Sequence, residues 1–292
     1  MRTKAANDQP RSLSGLGEVA GIYDGFILDL WGVVHDGLNP YADTLATLRE
    51  LKQAGRIVWM LSNAPRRSHI IADKLSNMGI GGDMYDGLMT SGEATWMALK
   101  ERYLNDWGRK CFHLGPAEKD ASLYENLDIE IVKEPAQADF VLNSGVYDFD
   151  DTAEQYIPVL TACANAALPM LCANPDRIVH VGDKLVICPG TFADMYTEMD
   201  GQVVYYGKPH ATVYNLVMTQ MGVKNVMAVG DAMATDIAGA TGAGIDSALV
   251  TSGIHRDAFT NGADAKKPPV AAQGFFQEYP YRPTYLMSAL RW

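Results

Sequence analysis

The chain has 292 residues, a length that favours two domains at roughly 150 residues per domain. Hydrophobic residues make up 48% and charged residues 20%, as in ordinary soluble globular proteins. The net charge of −11 argues against a nucleic-acid partner, because phosphate backbones reward clustered lysine and arginine. No apolar run approaches the roughly 18 residues of a membrane span, and the polar first residues do not resemble a signal peptide. We therefore expect no membrane partner and a cytoplasmic location.

Residues 1 to about 15 are predicted to form a loose tail, because they are polar and precede the first apolar run. The four cysteines have no C-x-x-C spacing, so we expect free buried thiols and neither disulfides nor a zinc site.

Short continuous apolar runs predict buried strands along the rest of the chain. They cover residues 25–34, 57–61, 138–142, 169–172, 203–206, 226–229 and 247–250. Continuous apolarity, without alternation, is typical of parallel strands that are covered on both faces.

Helical patterns lie between the predicted strands, at residues 42–54, 65–78 and 209–221. Pro65 and Pro209 are predicted to open the second and third helices, and a glycine follows the last residue of each helix. The alternation of strands and helices predicts an α/β fold.

Polar residues stand at or near the ends of four predicted strands. These are Asp29, Ser62 with Asn63, Lys208, and Asp231 with Asp236. Each alone is typical of a cap or a turn. Ligands of open α/β sheets bind at the carboxyl ends of the strands, so four such ends together favour a functional site.

Phosphoryl transfer is the chemistry that fits this set, because it depends on positioning and electrostatic stabilisation. An aspartate such as Asp29 can act as the nucleophile and form an aspartyl-phosphate. Mg²⁺ prefers one or two carboxylates plus water and phosphate, which Asp29 and Asp231 could provide. Ser62 and the backbone N–H of Asn63 could hold phosphate oxygens, and Lys208 could balance the negative charge.

These segments resemble the four motifs of the haloacid dehalogenase (HAD) superfamily. The motifs are DLWGV at 29–33, LSN at 61–63, GKP at 207–209, and GD at 230–231 with Asp236. The segments CANPD at 172–176 and CPGTFADMY at 188–196 resemble the NagD-like, class IIA branch, which contains nucleotide, sugar-phosphate and p-nitrophenyl phosphatases.

The resemblance implies a Rossmann-like HAD core with a parallel sheet, over residues 16–88 and 206–292. A C2-type α/β cap would be inserted over residues 89–205. Mg²⁺ would be held by Asp29, the backbone carbonyl of Trp31 and Asp231, with Asp236 bound directly or through water. The resemblance also raises a homodimer formed through the cap.

The same resemblance implies Asp29 as nucleophile, with Ser62 and Lys208 holding the phosphate of a small metabolite. The substrate would also meet Trp31, Gly32 and Asn63 in the core. The loop of Asn174, Pro175 and Asp176 would reach from the cap toward the substrate, although Asp176 after Pro175 is equally typical of a turn.

Trp31 departs from the family pattern, because this position usually carries an aspartate that protonates the leaving group. An indole cannot do this, and such assistance is typically worth about 10²–10⁴-fold in rate. Three hypotheses follow. A substitute donor (His35, Asp36 or Asp176) acts, or the enzyme is slow and needs good leaving groups, or the protein binds a phosphorylated ligand without hydrolysing it. Ala234 also replaces a further acid that many relatives carry.

Overall fold

The computed structural model describes residues 9–181, 184–260 and 269–292. The described residues form two units. The first unit contains residues 9–62, 72–89, 208–260 and 269–292, and the second contains residues 63–71, 90–181 and 184–207. The predicted domain boundaries stay a prediction.

The strands are β1 (Arg11–Ser12), β2 (Gly25–Asp29), β3 (Ile57–Ser62), β4 (Gly87–Thr90), β5 (Lys110–Leu114), β6 (Glu130–Val132), β7 (Phe140–Asn143), β8 (Met170–Cys172), β9 (Ile178–Val181), β10 (Lys184–Ile187), β11 (Val203–Tyr205), β12 (Val226–Gly230), β13 (Asp246–Val250), β14 (Phe259–Thr260), β15 (Val270–Ala271) and β16 (Tyr285–Met287).

The α-helices are α1 (Thr44–Gln53), α2 (Ser68–Asn77), α3 (Ser91–Ala98), α4 (Leu104–Asp106), α5 (Ala117–Asp120), α6 (Ile157–Asn165), α7 (Pro189–Glu198), α8 (Ala211–Met221) and α9 (Ala238–Ala243). Two π-helical turns cover Leu99–Tyr103 and Met233–Ile237. Short 3₁₀ turns cover Leu16–Glu18, Ala121–Tyr124, Pro135–Gln137, Ala153–Tyr156, Arg256–Ala258 and Phe275–Glu278.

The first unit contains a seven-stranded sheet in the order β1-β16-β13-β12-β2-β3-β4. Its central strand pairs are parallel, and β2 and β12 are buried along their whole length. The chain runs from β2 to β3 and β4 on one side, and returns to β12 and β13 on the other. The strand order therefore reverses between β2 and β12, which makes the carboxyl ends of these strands a topological switch point.

The second unit contains a five-stranded parallel sheet in the order β11-β8-β7-β5-β6. Here the strand order reverses between β5 and β7. The two sheets confirm the predicted α/β class, with a Rossmann-like core sheet and an inserted second α/β segment.

The helices follow from apolar periodicity and glycine stops. In α1 the buried residues Thr44, Thr47, Leu48 and Leu51 recur every three or four positions, which gives the helix one core-facing side. Gly222 ends α8 with φ +69°, a left-handed conformation that favours glycine.

Several predicted boundaries are wrong. The strand predicted over 25–34 ends at Asp29, because Gly32 adopts φ +84° and the chain turns. Helix α2 begins at Ser68, whose amide donates to the Glu93 carboxylate at 2.9 Å, and not at Pro65. Helix α8 begins after His210, and Pro209 lies before the helix in a cis peptide bond with Lys208.

The predicted loose tail is also wrong beyond residue 10, while residues 1–8 lie outside the described residues. β1 pairs with β16, and Leu13 and Leu16 are buried. The four cysteines are buried free thiols, as predicted. Among the helices of the described ranges, none combines the length and apolarity that crossing a membrane requires.

Candidate active site

The switch point of the first sheet brings together the predicted residues of that unit. Asp29 is the last residue of β2 and pairs in register with Leu61, so Ser62 follows at the same edge. Leu28 pairs with Val229, which places Asp231 just beyond the end of β12 at the same level. A buried apolar sheet thus ends in a small group of polar side chains.

Lys208 binds two of the carboxylates at this edge. Its ammonium donates to Oδ1 of Asp29 and, at 2.8 Å, to Oδ1 of Asp236. All three side chains are more than nine-tenths buried. A second bond fixes Asp236, whose Oδ2 accepts from the Ala232 amide at 3.1 Å. Asp236 enters the site on the π-helical turn after β12.

Glycines allow the backbone to approach Asp231 closely. A Cβ atom on Gly32 or on Gly253 would lie 2.1 Å from Oδ2 of Asp231, well inside van der Waals contact. The same oxygen accepts a hydrogen bond from the Ile254 amide at 2.9 Å. The backbone at Gly32 and at Gly253 therefore packs directly against the Asp231 carboxylate, and only glycine fits at these two positions.

Burial and mutual repulsion raise the pKa values of the acids. Burial raises the pKa of Asp29 against the opposing charge of Lys208. Burial and the neighbouring Asp236 raise the pKa of Asp231 to about 7. Burial by itself would lower the pKa of Lys208, but the charges of Asp236 and Asp29 outweigh it and raise that pKa well above its usual range.

The carboxylates fit a divalent cation. One ligand oxygen from each of Asp29, Asp231 and Asp236 lies within 4.8 Å of the others. Three buried acids face one buried ammonium, which leaves negative charge uncompensated when all three are ionised. Hard oxygen ligands of this kind suit Mg²⁺, whose charge would complete the balance.

The predicted substrate loop lies in the second unit, together with Asn63. The side-chain Nδ2 of Asn63 donates to Oδ1 of Asp176 at 2.8 Å, and the backbone N–H of Asp176 donates to Oδ1 of Asn174 at 2.9 Å. A Cβ atom on Gly190 would lie 2.2 Å from the carbonyl oxygen of Pro175, so the loop packs closely on the start of α7. Asp176 therefore closes a turn, and it also contacts Asn63, a predicted site residue.

Trp31 lies in the loop after β2 with 46% of its surface exposed. Its ring packs on Gly37, where a Cβ atom would lie 2.5 Å from the indole, and its centroid is 6.0 Å from that of His35. Lys74 lies 5.9 Å from the indole centroid. The ring is therefore held in place beside the nucleophile strand, with no acid or base function at its edge.

His35 and Asp36, the predicted substitute proton donors, lie in different surroundings. His35 is buried, and its Nδ1 accepts from the Gly37 amide at 2.9 Å. Burial, helped by the charge of Lys74, lowers the pKa of His35 to about 4, so the ring is neutral at neutral pH. Asp36 is an exposed turn carboxylate, and backbone amides of Asn39 and Leu38 lower its pKa.

Two features of the site escaped the sequence reasoning. The first is the Ile254 amide with Gly253, which complete the surroundings of Asp231. Their signal was a glycine shortly after the apolar strand β13. The second is Tyr214 in α8, whose hydroxyl donates to the backbone carbonyl of Asp236 at 3.2 Å. Its position among apolar helix residues predicts only core packing.

Two family models match separate stretches of the chain. The model described as haloacid dehalogenase-like hydrolase matches residues 26–130, and a HAD-hydrolase-like model matches residues 205–290. These matches contain Asp29 and Ser62 in one case, and Lys208, Asp231 and Asp236 in the other.

Curated relatives and solved structures agree with the family models. The chain is 28% identical over 273 residues to the 5'-nucleotidase YutF of Bacillus subtilis, which covers 89% of this chain and 98% of that protein. It is 26% identical over 263 residues to the sugar-phosphatase AraL of the same organism, over 87% and 88% of the two chains. A hydrolase of the haloacid dehalogenase-like family from Brucella suis superposes with a TM-score of 0.79 at 29% identity, over 97% and 100% of the two chains.

Proposed function

Because the chain belongs to the haloacid dehalogenase-like hydrolases, in agreement with the NagD-like class IIA resemblance, we propose that it is a Mg²⁺-dependent phosphatase. Its substrate is a small phosphate monoester, hydrolysed through an aspartyl-phosphate on Asp29. The observation that carries this proposal is the buried cluster of Asp29, Lys208, Asp231 and Asp236 at the switch point of the first sheet. Relatives named as phosphatases and a nucleotidase support it.

The first step transfers the phosphoryl group to the enzyme. A carboxylate oxygen of Asp29 attacks phosphorus, the ester P–O bond breaks, and its electron pair leaves with the alkoxide. Lys208 offsets the charge of Asp29 and the incoming phosphate, while Ser62 and the backbone N–H of Asn63 orient phosphate oxygens. Mg²⁺ held by Asp29, the Trp31 carbonyl, Asp231 and Asp236 would neutralise charge on the phosphoryl oxygens.

The second step hydrolyses the aspartyl-phosphate. Water attacks phosphorus, the Asp29 carboxylate leaves, and inorganic phosphate is released. Both steps need proton transfer, to the alkoxide in the first and from water in the second. Trp31 serves neither, and the neutral His35 and the ionised Asp36 are poor acids at neutral pH. Asp176 remains the candidate donor among the predicted residues.

The exposed Trp31 favours one alternative. A protein that keeps the phosphate and metal residues but lacks the proton shuttle could bind a phosphorylated ligand without turnover. We propose the phosphatase as the better reading, because Lys208 and the three carboxylates assemble the groups of the chemical step and not merely an anion site. A ligand-binding site would gain nothing from three buried acids beside a phosphate.

A phosphate-release screen tests the proposal. The chain would be incubated with Mg²⁺ and a panel of nucleotides, sugar phosphates, aryl phosphates and acyl phosphates, with Asp29→Asn as the matched control. We expect turnover in the wild type and none in the variant. Release that persists in Asp29→Asn would rule out the nucleophile. No release from any substrate, with phosphate esters still bound, would favour the binding protein. We further propose a cytoplasmic location, and a homodimer through the second unit stays a proposal that sizing by light scattering would test.

A further inference from the structure

His255, in the loop that follows β13, binds the turn that carries Asp236. Its Nε2 accepts a hydrogen bond from the Met233 backbone N–H at 3.1 Å. Met233 is the first residue of the π-helical turn Met233–Ile237. The first N–H groups of a helical turn have no acceptor within the turn itself. The His255 side chain therefore supplies that acceptor from outside the turn.

The aim of the Asp236 carboxylate depends on this short turn. The backbone N–H groups of Asp236 and Ile237 both donate to the Ala232 carbonyl, at 3.0 and 3.2 Å. A Cβ atom on Gly230 would lie 2.1 Å from the Cβ atom of Asp236, so the turn packs directly on the end of β12. Turns of this kind are rare and occur frequently at functional sites. A shift of the first residues of the turn would therefore move the carboxylate.

Aromatic packing holds the His255 ring in place. Phe275 meets the ring edge-on with centroids 5.2 Å apart, and Tyr279 does so at 6.3 Å. Phe275 also belongs to the buried apolar cluster that contains Met233 and Ile237 of the turn. One cluster therefore fixes both the ring and the turn, so the geometry of their hydrogen bond is set on both sides.

The ring is in the protonation state that this hydrogen bond requires. Burial lowers the pKa of His255, against the charges of Asp236 and Glu278, so the ring is neutral at neutral pH. In a neutral imidazole one nitrogen is an acceptor, whereas both nitrogens of a charged ring are donors. Because Nε2 accepts from Met233, the proton of the neutral ring is on Nδ1.

The same loop holds a second carboxylate of the metal site. Gly253 packs against Asp231, and the Ile254 backbone N–H donates to its Oδ2 at 2.9 Å. His255, the next residue, reaches the turn of Asp236. Three consecutive residues therefore keep two acids in a fixed relation. Mg²⁺ accepts little deviation from octahedral geometry, so its affinity depends on such a relation.

We propose that His255 is a positioning residue of the metal site. Its hydrogen bond to Met233 fixes the turn that aims Asp236, while the neighbouring Ile254 fixes Asp231. His255 acts through the turn and is not itself a metal ligand. This inference rests on the proposed function, because it takes the buried carboxylates as Mg²⁺ ligands, but Mg²⁺ binding can be measured without turnover.

Two substitutions at His255 separate the acceptor from the ring. His255→Phe keeps a ring for Phe275 and Tyr279 but removes the acceptor, whereas His255→Gln loses the ring and can place an amide oxygen near the position of Nε2. Calorimetry of the full-length chain with MgCl₂ alone measures the affinity. We expect His255→Phe to weaken Mg²⁺ binding about tenfold, as the loss of a residue that orients a metal ligand does, and His255→Gln to stay close to the wild type.

Arg256→Gln is the matched control for both substitutions. The Arg256 side chain is exposed and lies 3.7 Å from Asp257, so its loss should leave Mg²⁺ affinity unchanged. Equal affinities or equal losses in His255→Phe and His255→Gln would overturn the proposal. A loss confined to His255→Gln would overturn it too, because ring packing would then be the role of His255.

Hydrogen exchange in the wild type tests the same coupling without a substitution. Coupling between two binding events is reciprocal, so Mg²⁺ should slow the exchange of the Met233 backbone N–H if the bond to His255 favours metal binding. Exchange of this N–H at the same rate with and without Mg²⁺ would overturn the proposal, even if His255→Phe failed to fold.

Turnover separates this inference from the proposed function. With an ester that the chain hydrolyses, His255→Phe should raise the Mg²⁺ concentration for half-maximal rate about tenfold and recover the wild-type kcat at saturating Mg²⁺. A loss of kcat that Mg²⁺ does not recover would overturn the positioning role. Mg²⁺ binding that depends on His255 in a chain without turnover would overturn the proposed function and leave this inference standing. A wild type that binds no Mg²⁺ would overturn both.

Discussion

The two parallel sheets reverse their strand order in the same way but place different chemistry at the reversal. Between β2 and β12 the first sheet ends in three buried acids and one lysine. Between β5 and β7 the second sheet ends in His113, Ser144 and Asp120, and this one acid is balanced by Arg66. The first edge keeps an excess of negative charge, and the second edge is close to neutral.

The difference shows what each edge can hold. Excess buried charge is costly unless a cation binds, so the first edge is suited to a metal and to charge that develops during a reaction. A neutral chain with one unused acceptor, Nδ1 of His113, which has no partner among the described residues, costs less and discriminates between ligands by hydrogen bonding. The strand order therefore reverses in both sheets, but the two edges differ in charge. The negatively charged edge of the first sheet suits a reaction, and the nearly neutral edge of the second sheet suits ligand recognition.

The largest expected effect is on the charged edge. Lys208→Met leaves Asp29 and Asp236 buried without their cation. We expect kcat/KM to fall by about 10²–10³-fold and the metal-free free energy of unfolding to fall by about 3–5 kcal/mol. Urea unfolding with and without Mg²⁺ measures the second effect, and Mg²⁺ should restore more stability to the variant than it adds to the wild type.

Lys52→Met is the matched control for that substitution. Lys52 pairs with Asp86 in the same unit, but both side chains are partly solvated. Such pairs contribute about 1 kcal/mol or less, so activity should be unchanged and stability nearly so. If Lys208→Met and Lys52→Met lost equal activity and equal stability, the buried charges of Asp29 and Asp236 would not depend on Lys208 for compensation.

Trp31→Asp is expected to add the acid that the first edge lacks. We expect faster hydrolysis of esters with poor leaving groups, by about 10–10²-fold, because proton transfer to the alkoxide is then available. Acyl phosphates, whose leaving groups need no proton, should gain little. Rates plotted against leaving-group pKa measure this, with a steep slope in the wild type and a shallower one in the variant. Trp31→Phe controls for loss of the indole, and a flat wild-type slope would contradict the missing-acid interpretation.

The sequence predicted the first edge far better than the second, for a physical reason. Asp29, Lys208 and Asp231 each follow or interrupt an apolar run, so every one stands out locally. Asp120 lies among polar residues, His113 stands within the apolar strand β5, and Ser144 follows β7. Their contact with one another results from pairing β5 with β7. Register and burial are tertiary properties that no local pattern contains.

The same limit applies at particular residues. His35 stays a predicted proton donor by its residue type, but its burial and its bond to the Gly37 amide are visible only in three dimensions. Pro65 and Pro209 carry a helix-start signal, yet each helix begins later, where its first amides find partners or space. The apolar runs predicted the strands of the sheet, whereas the turns around the site depend on contacts between residues far apart in the chain.

Substitutions of two glycines, one at each sheet edge, are expected to have effects of intermediate size. Gly32→Ala would push a methyl group into Asp231, and Gly115→Ala would push one into Ser144. We expect Gly32→Ala to weaken Mg²⁺ affinity about tenfold and Gly115→Ala to leave it unchanged. Titrations with Mg²⁺ measure both. Gly55→Ala is the control, since it adopts φ +70° but meets no atom within 4 Å.

A change of Mg²⁺ affinity in Gly115→Ala would contradict the assignment of the metal to the edge between β2 and β12. Gly55→Ala should lose only the stability, about 1–3 kcal/mol, that a side chain costs at positive φ. Any loss of binding beyond this control then reports the steric contact at the respective edge.

The smallest expected effect is a change in how stability depends on pH. The pKa of His113 is about 4 in the folded chain, below the ordinary value near 6.5, because burial disfavours the charged ring. The unfolded chain therefore binds more protons between these values, and stability is lost as the pH falls from about 6.5 toward 4. The limit for one such group is on the order of 3 kcal/mol.

Urea unfolding of His113→Phe across this range should show a shallower loss than the wild type, by about 1–3 kcal/mol at pH 4. His35→Phe should act in the same direction in the first unit, since burial lowers the pKa of His35 to about 4 as well.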